Sequence, residues 1–135
     1  MIYIDTGAFL ARYLAKDQYH DLAATFWEEL KTRNEGLVTS NFVLDETATL
    51  LGRRAGHLFA SERLKVVYAS RILQIWRPDH NDELRAIDWF AKFSAQEISF
   101  TDCISFVLMK QGQIQRVFSF DRHFDTAGFK RLPVV

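Results

Sequence analysis

Cysteine is nearly absent from this sequence, since Cys103 is the only one among 135 residues. A single thiol excludes a disulfide within the chain and a cysteine-based metal cluster within one molecule. The shortage of cysteine therefore predicts a reducing, intracellular environment. The sequence also lacks any apolar run of the roughly 18–20 residues that a membrane-spanning helix needs, and its N-terminus lacks the pattern of a secretory signal. We therefore expect a soluble, cytoplasmic protein with no membrane partner.

The sequence has no excess of charge of either sign, because 17 Lys and Arg residues balance 17 Asp and Glu residues. Zero net charge argues against nonspecific coating of nucleic acid, which depends on a strong basic excess. It is compatible with a local basic patch beside an acidic pocket. The hydrophobic content of 48% and the 12 phenylalanines argue against disorder. The length predicts one domain over residues 1–135.

Short apolar runs alternate with helical patterns along the chain. The predicted strands are 2–5, 37–39, 72–76, 116–120 and 132–135, the last of them an edge strand. The predicted helices are 8–15, 19–33, 41–55, 58–70, 82–94 and 102–111. Strands separated by helical crossovers predict an α/β fold, a three-layer α/β/α arrangement with a mostly parallel central sheet of four to five strands.

Capping residues and apolar periodicity give further expectations for three of these helices. Ser40 or Asn41 is the expected N-cap of helix 41–55, and Thr101 that of helix 102–111. For helix 82–94 the cap is expected among Asp79, Asn81 and Asp82. The apolar side of this helix is expected to include Leu84, Ile87, Phe90 and Ala91.

Four carboxylates are placed to meet at one edge of the predicted sheet. Asp5 and Asp121 each end an apolar, strand-like run, and the carboxyl ends of parallel strands share an edge. Asp102 is expected near a strand-to-helix corner. Glu46 falls at the edge of the buried arc of its helix, whereas Asp45 points nearly opposite. Such a cluster needs a bound proton or a cation, and oxygen ligands suit Mg²⁺ or Mn²⁺, ions that drive phosphodiester hydrolysis.

Each carboxylate also has a simpler interpretation, which spacing alone leaves open. Asp102 can stabilise a helix N-terminus through the helix dipole, and Asp121 can be a turn or cap residue. Glu46 can form a salt bridge at the helix boundary. Asp5 is the hardest to explain in this way, because a buried carboxylate beside a strand needs a partner.

Four short motifs carry these acids in order: residues 4–9 (IDTGAF), 39–46 (TSNFVLDE), 99–102 (SFTD) and 118–124 (FSFDRHF), the last followed by Gly128 and Phe129. In their order and spacing they resemble the PIN domain family, and in particular the ribonuclease toxin of VapBC-type toxin–antitoxin pairs. The resemblance covers nearly the whole chain. Gly7 departs from the pattern, since the family more often has Ser or Asn at that position.

The resemblance implies a Mg²⁺- or Mn²⁺-dependent endoribonuclease with RNA as substrate. It implies a second copy of the chain, as a homodimer, and a small antitoxin as partners. The implied catalytic residues and metal ligands are Asp5, Glu46, Asp102 and Asp121. The expected supporting residues are Thr6, Thr101 and Asp125. The candidates for RNA binding are Arg12, Lys16, Arg53, Arg54, Arg122 and His123, although a solvated surface charge is the simpler interpretation of each.

Other functions that place acids at a sheet edge fit less well. A phosphatase of the haloacid-dehalogenase type needs a second Asp two residues after the first, where Gly7 stands. A phospho-receiver domain needs a Lys after a late strand, where Asp121 stands. A PIN-like protein outside a toxin–antitoxin pair stays open, either as an RNA-processing nuclease or as a non-catalytic binding module. A pure scaffold, however, needs none of the four acids.

Overall fold

A computed structural model of the chain describes residues 1–134 and contains five strands and seven α-helices in that range. The strands are β1 (Ile2–Ile4), β2 (Leu37–Ser40), β3 (Leu73–Trp76), β4 (Arg116–Phe118) and β5 (Lys130–Leu132). The helices are α1 (Thr6–Tyr13), α2 (His20–Thr32), α3 (Asn41–Ala55), α4 (His57–Ala69), α5 (His80–Lys92), α6 (Phe100–Gln111) and α7 (His123–Thr126), with a short 3-10 turn at Ser94–Gln96.

The strands form one sheet in the order β3-β2-β1-β4-β5, and all neighbouring strands are parallel. The chain builds the sheet outward from β1 to β3 and then returns to the other side of β1 with β4 and β5. The change of direction therefore lies between β1 and β4, where open α/β sheets place their sites. The predicted three-layer α/β/α fold with a mostly parallel sheet of four to five strands is confirmed.

The core is built on the central strands and on α6. All three residues of β1 are fully buried, as expected for the middle strand of a parallel sheet. Helix α6 is buried from Asp102 to Met109, which is typical of a helix enclosed by other elements. Phe118 of β4 packs edge-on against Phe26 of α2, with ring centroids 4.8 Å apart. The pairing of β1 with β4 and the 2.9 Å hydrogen bond between Tyr3 of β1 and Ser105 of α6 hold these three elements together.

The structure decides between the alternative helix caps. Ser40 caps α3, because its Oγ accepts a hydrogen bond from the backbone N–H of Val43 at 3.1 Å. The expected cap at Thr101 is wrong. Helix α6 begins two residues earlier than predicted, and Ser99 Oγ accepts from the N–H of Asp102 at 3.1 Å. Both hydroxyl residues are good caps, so residue type alone did not separate them.

The apolar side predicted for α5 exists, but it is exposed and does not face the core. The helix begins at His80, capped by Asp79, which forms a reciprocal capping box with Asp82. The side that faces α6 carries Ala86 and Trp89, whose ring lies 5.4 Å from that of Phe106. The helix has two apolar stripes, and the exposed one contains Leu84, Ile87, Phe90 and Ala91.

The last strand lies at the edge of the sheet, as predicted, but it is shifted. It runs over Lys130–Leu132 and ends before Pro133, which lacks the N–H that a strand needs for pairing. Residue 135 of the predicted strand lies outside the described residues. Within residues 1–134, no helix combines the length and the apolar character needed to cross a membrane.

Candidate active site

An open cleft of about 720 Å³ lies at the carboxyl ends of β1 and β4. All four of the carboxylates predicted from the sequence line it: Asp5, Glu46, Asp102 and Asp121. Thr6 and Gly7 of α1 and Arg122 and His123 beyond β4 also contribute to its walls. The cleft between β1 and β4, where the strand order changes direction, is therefore lined by the four acids, as their positions in the sequence predicted.

Asp5 is almost fully buried at the base of this cleft, with 4% of its surface exposed. Its backbone N–H donates to the carbonyl of Phe118 at 3.1 Å, which extends the pairing of β1 with β4 by one residue. Its Oδ2 accepts a hydrogen bond from Ser119 Oγ at 2.8 Å. Its Oδ1 is buried and has no hydrogen-bond partner among residues 1–134. A buried carboxylate oxygen without a donor is costly and is suited to bind a cation.

Burial and mutual repulsion oppose full ionisation of the cluster. Burial, reinforced by the charges of Asp121 and Glu46, raises the pKa of Asp5 to about 7 despite the hydrogen bond from Ser119. Burial also raises the pKa of Asp102 to about 9, and the neighbouring carboxylates add to the effect. Without a compensating positive charge, the cluster therefore keeps protons near neutral pH.

Asp102 and Glu46 are directed into the cleft by their helices. Asp102 is the third residue of α6 and is only 5% exposed. The cap by Ser99 fixes the first turn of that helix, and so fixes the direction of the Asp102 side chain. Glu46 is half-buried on α3, whereas its neighbour Asp45 is exposed. The helical geometry that separated these two acids in the sequence is confirmed.

Ser119 joins two of the acids and was not identified from the sequence. Its Oγ donates to Asp5 and accepts from the backbone N–H of Asp121 at 3.0 Å. Asp121 Oδ1 in turn accepts from the N–H of His123 at 2.9 Å, which forms a tight turn after the strand. The only signal in the sequence is a small hydroxyl residue between two phenylalanines at the end of a buried run.

His123 lies against the acids, although its residue type suggested only a contact with RNA. Its Nδ1 is 3.2 Å from Asp121 Oδ1 and 3.5 Å from Asp102 Oδ2. One imidazole nitrogen of His123 and one carboxylate oxygen each of Asp102 and Asp121 all lie within 4.8 Å of one another. The cleft is therefore lined by an imidazole nitrogen as well as by carboxylate oxygens.

The expected supporting residues are not all in the cleft. Thr6 lines it, and its buried hydroxyl has no hydrogen-bond partner in the described part of the chain. Thr101 lies in the first turn of α6, where its carbonyl accepts from Ser105 Oγ at 3.2 Å. Asp125 accepts two hydrogen bonds of 2.9 Å from Arg131. Asp125 is thus held in an ion pair, and no hydrogen bond joins it to the four acids within residues 1–134.

Among the arginines predicted to bind RNA, Arg122 alone contributes to the cleft as the structure describes it. Arg12 lies over the Trp27 ring, with its guanidinium carbon 4.7 Å from the ring centroid. Arg53 and Arg54 are exposed in the last turn of α3. Any role of these three residues in RNA binding therefore requires a substrate that extends beyond the cleft.

The doubly wound parallel sheet and its acidic cleft define an α/β protein with a carboxylate site at the switch point. The family model described as the PIN domain matches residues 2–130, so the chain belongs to the PIN domain family. The resemblance noted in the sequence is thereby confirmed.

Curated relatives and a solved structure agree with this assignment. The chain is 34% identical over 129 residues to the 23S rRNA-specific endonuclease VapC20 of Mycobacterium tuberculosis, covering 96% of this chain and 95% of that protein. It is 32% identical over 123 residues to a VapC ribonuclease of Archaeoglobus fulgidus, covering 90% of this chain and 77% of that protein. The crystal structure of Mycobacterium tuberculosis VapC20, described as a Sarcin-Ricin loop cleaving toxin, matches with a TM-score of 0.87, 32% identity and 96% coverage of both chains.

Proposed function

We propose that this protein is a divalent-metal-dependent endoribonuclease and the toxin of a type II toxin–antitoxin pair. The observation that carries the proposal is the convergence of Asp5, Glu46, Asp102 and Asp121 in one cleft of a PIN domain. The similarity to an rRNA endonuclease over nearly the whole length supports RNA as the substrate class.

The residues of the cleft fit a hard divalent ion. Carboxylate oxygens are the ligands that Mg²⁺ and Mn²⁺ prefer. The buried Oδ1 of Asp5 lacks a hydrogen-bond donor in the described structure. Burial, with the added repulsion of neighbouring carboxylates, raises the pKa values of Asp5 and Asp102, and a bound cation offsets that repulsion. We therefore assign Asp5, Glu46, Asp102 and Asp121 as the ligand set. When bound, such an ion activates water and stabilises the negative charge on the phosphate.

The side chains of the cleft have different tasks in this proposal. Asp5 and Asp102 are nearly buried and form a rigid base, and Ser119 holds the orientation of Asp5. Asp121 is more accessible, with 40% of its side chain exposed, so it is placed toward the substrate. Arg122 at the cleft wall offers a positive charge to the phosphate backbone.

The shape of the cleft supports cleavage within an RNA chain. The cleft is open to solvent, so an internal segment of a long polymer can cross it without threading an end. The neutral net charge of the protein means that binding depends on local groups and on the ion rather than on a general basic surface. A defined RNA target, such as a ribosomal RNA loop, fits this arrangement better than indiscriminate degradation.

Apolar surface on the outside of the domain supports the proposed protein partners. Side chains on α4 and α5 are exposed to solvent, among them Leu58, Val66, Tyr68, Leu84, Ile87 and Phe90. We assign these exposed apolar side chains as the surface that the partners cover. A second copy of the chain and a small antitoxin are the partners that we propose, and the cytoplasm, where RNA is translated, is the proposed location.

Cleavage of RNA by the purified protein tests the nuclease. We expect ribosomal RNA to be cut with Mn²⁺ or Mg²⁺ present and to stay intact with EDTA. Asp102→Asn should abolish cleavage, because it removes a ligand charge while keeping the shape of the side chain. Asp45→Asn is the matched control and should keep full activity, since Asp45 is exposed on the other side of α3. Equal activity of wild type and Asp102→Asn would refute the site.

Expression in a bacterial host tests the role as a toxin. Wild type should arrest growth, and Asp102→Asn should not. Cleavage in vitro without any effect on growth would favour an RNA-processing nuclease outside a toxin–antitoxin pair. Absence of cleavage with a folded protein would favour a non-catalytic binding module.

A further inference from the structure

The imidazole of His123 lies beside the acidic side chains of the cleft, and its Nδ1 makes no hydrogen bond in the described structure. This nitrogen atom is buried. The nearest carboxylate oxygens are those of Asp121 at 3.2 Å and Asp102 at 3.5 Å. The side chain as a whole is 34% exposed, and it lines the acidic cleft. A nitrogen atom is thus held among the ligand oxygens.

The backbone holds the ring in this position from both sides. On one side, the N–H of His123 donates to Asp121 Oδ1 at 2.9 Å, and Asp121 is tied through Ser119 to Asp5. On the other side, Phe124 is fully buried, and its ring packs edge-on against Phe106 of α6 at 5.2 Å. Asp121, two residues before His123, and Phe124, the residue after it, are therefore both anchored.

The separations around Nδ1 match those of neighbouring ligands on one ion. Two adjacent ligands of an octahedral ion with bonds of about 2.1 Å lie roughly 3 Å apart. The nitrogen–oxygen distances of 3.2 and 3.5 Å are close to this value. Neutral imidazole is a common metal ligand through either ring nitrogen. A direct ion pair between protonated His123 and the acids is the alternative, and it leaves Nδ1 without a hydrogen bond in the described structure.

We propose that His123 is a fifth ligand of the divalent ion and binds it through Nδ1. This inference depends on the proposed function only in requiring that the acidic cluster holds an ion. A nitrogen ligand shifts the preference of a site away from Mg²⁺, which favours oxygen, toward first-row transition ions. The site is then a mixed nitrogen–oxygen site selective for Mn²⁺ over Mg²⁺, rather than a carboxylate site that accepts both ions alike.

Pulsed electron paramagnetic resonance of bound Mn²⁺ tests the bond directly. We expect wild type to show the coupling of a directly bound histidine nitrogen, and labelling with ¹⁵N-histidine to change it to that of ¹⁵N. His123→Ala should lose the coupling. His80→Ala is the matched control, because His80 is exposed at the start of α5, and should keep it. In calorimetric titrations His123→Ala should lose about 10–100-fold in Mn²⁺ affinity and little in Mg²⁺ affinity.

The outcomes separate this inference from the proposed function. If wild type binds Mn²⁺ in a manner that requires Asp5 but shows no coupling to histidine nitrogen, the His123 ligand is refuted and the nuclease stands. Coupling that persists in His123→Ala also refutes it. If wild type binds no Mn²⁺ at all, both proposals fail. The labelled wild-type spectrum decides the question even if His123→Ala does not fold.

Discussion

Replacing Asp5 with Asn should stabilise the metal-free protein at neutral and alkaline pH. Asp5 is buried, and its pKa is raised from 3.8 to about 7 in the folded state. A rise of about three pKa units corresponds to about 4 kcal/mol. Asn carries no charge to desolvate, and its side-chain oxygen still accepts the hydrogen bond that Ser119 donates. The substitution therefore removes the cost of a buried carboxylate and leaves its main contact in place.

The sign of the effect follows from proton binding in the two states. Between about pH 4 and pH 7, the folded protein keeps a proton on Asp5 that the unfolded chain has lost, so stability falls as pH rises. The contribution is fully present below the unfolded pKa and is lost as pH rises through the folded pKa. Because the pKa of Asp102 is raised to about 9, the decline of the wild type continues to higher pH.

Denaturant unfolding in EDTA, at about pH 5 and about pH 8, measures the effect. At about pH 8, Asp5→Asn should be more stable than wild type by up to about 4 kcal/mol, and the difference should shrink toward acid pH. Asp45→Asn, at an exposed position on α3, should stay within about 0.5 kcal/mol of wild type at both values. An Asp5→Asn variant whose stability falls with pH as steeply as that of wild type would refute the reasoning.

Three further substitutions test a hydrogen bond at the site, the space beside Gly7 and the packing at the end of α6. Ser119→Ala should lower RNA cleavage or Mn²⁺ affinity about 10–100-fold, because it frees Asp5 from its hydrogen bond; unchanged values in kinetic and calorimetric assays would speak against a positioning role. Gly7→Ser should change the unfolding free energy by less than about 0.5 kcal/mol, since an added Cβ is 3.9 Å from its nearest neighbour; a large loss of stability would contradict this. Gly112→Ala should cost about 1–3 kcal/mol in thermal unfolding, because its Cβ would lie 2.5 Å from the Trp76 ring; a variant as stable as wild type would mean that the ring moves aside freely.

The sequence predicted well those features that depend on local rules. Helix α3 has the predicted bounds and one of its two predicted caps, because a hydroxyl residue after a short strand is a specific signal. The acids at the ends of β1 and β4 meet because parallel strands share an edge, and helical geometry separated Glu46 from Asp45. These parts of the site required only strand direction and helical pitch.

Features that depend on packing between distant segments were missed. Ser119 and Asp5 are 114 residues apart, and their hydrogen bond exists only because β4 returns beside β1. The ring of His123 reaches Asp102 only because α7, which follows β4, packs against α6. On α5, periodicity shows that apolar stripes exist but cannot show which of two stripes faces the core. In each of these cases the position of a side chain depends on which distant segment packs against it.

The central claim is that the acids at the switch point hold the ion that drives RNA cleavage. The most direct test is a Mn²⁺ titration in which bound ion and cleavage rate are measured on the same samples of wild type and Asp5→Asn. We predict that cleavage by wild type rises in step with occupancy of a site that Asp5→Asn lacks. Full cleavage in EDTA, or identical Mn²⁺ binding and cleavage by the two proteins, would contradict the claim.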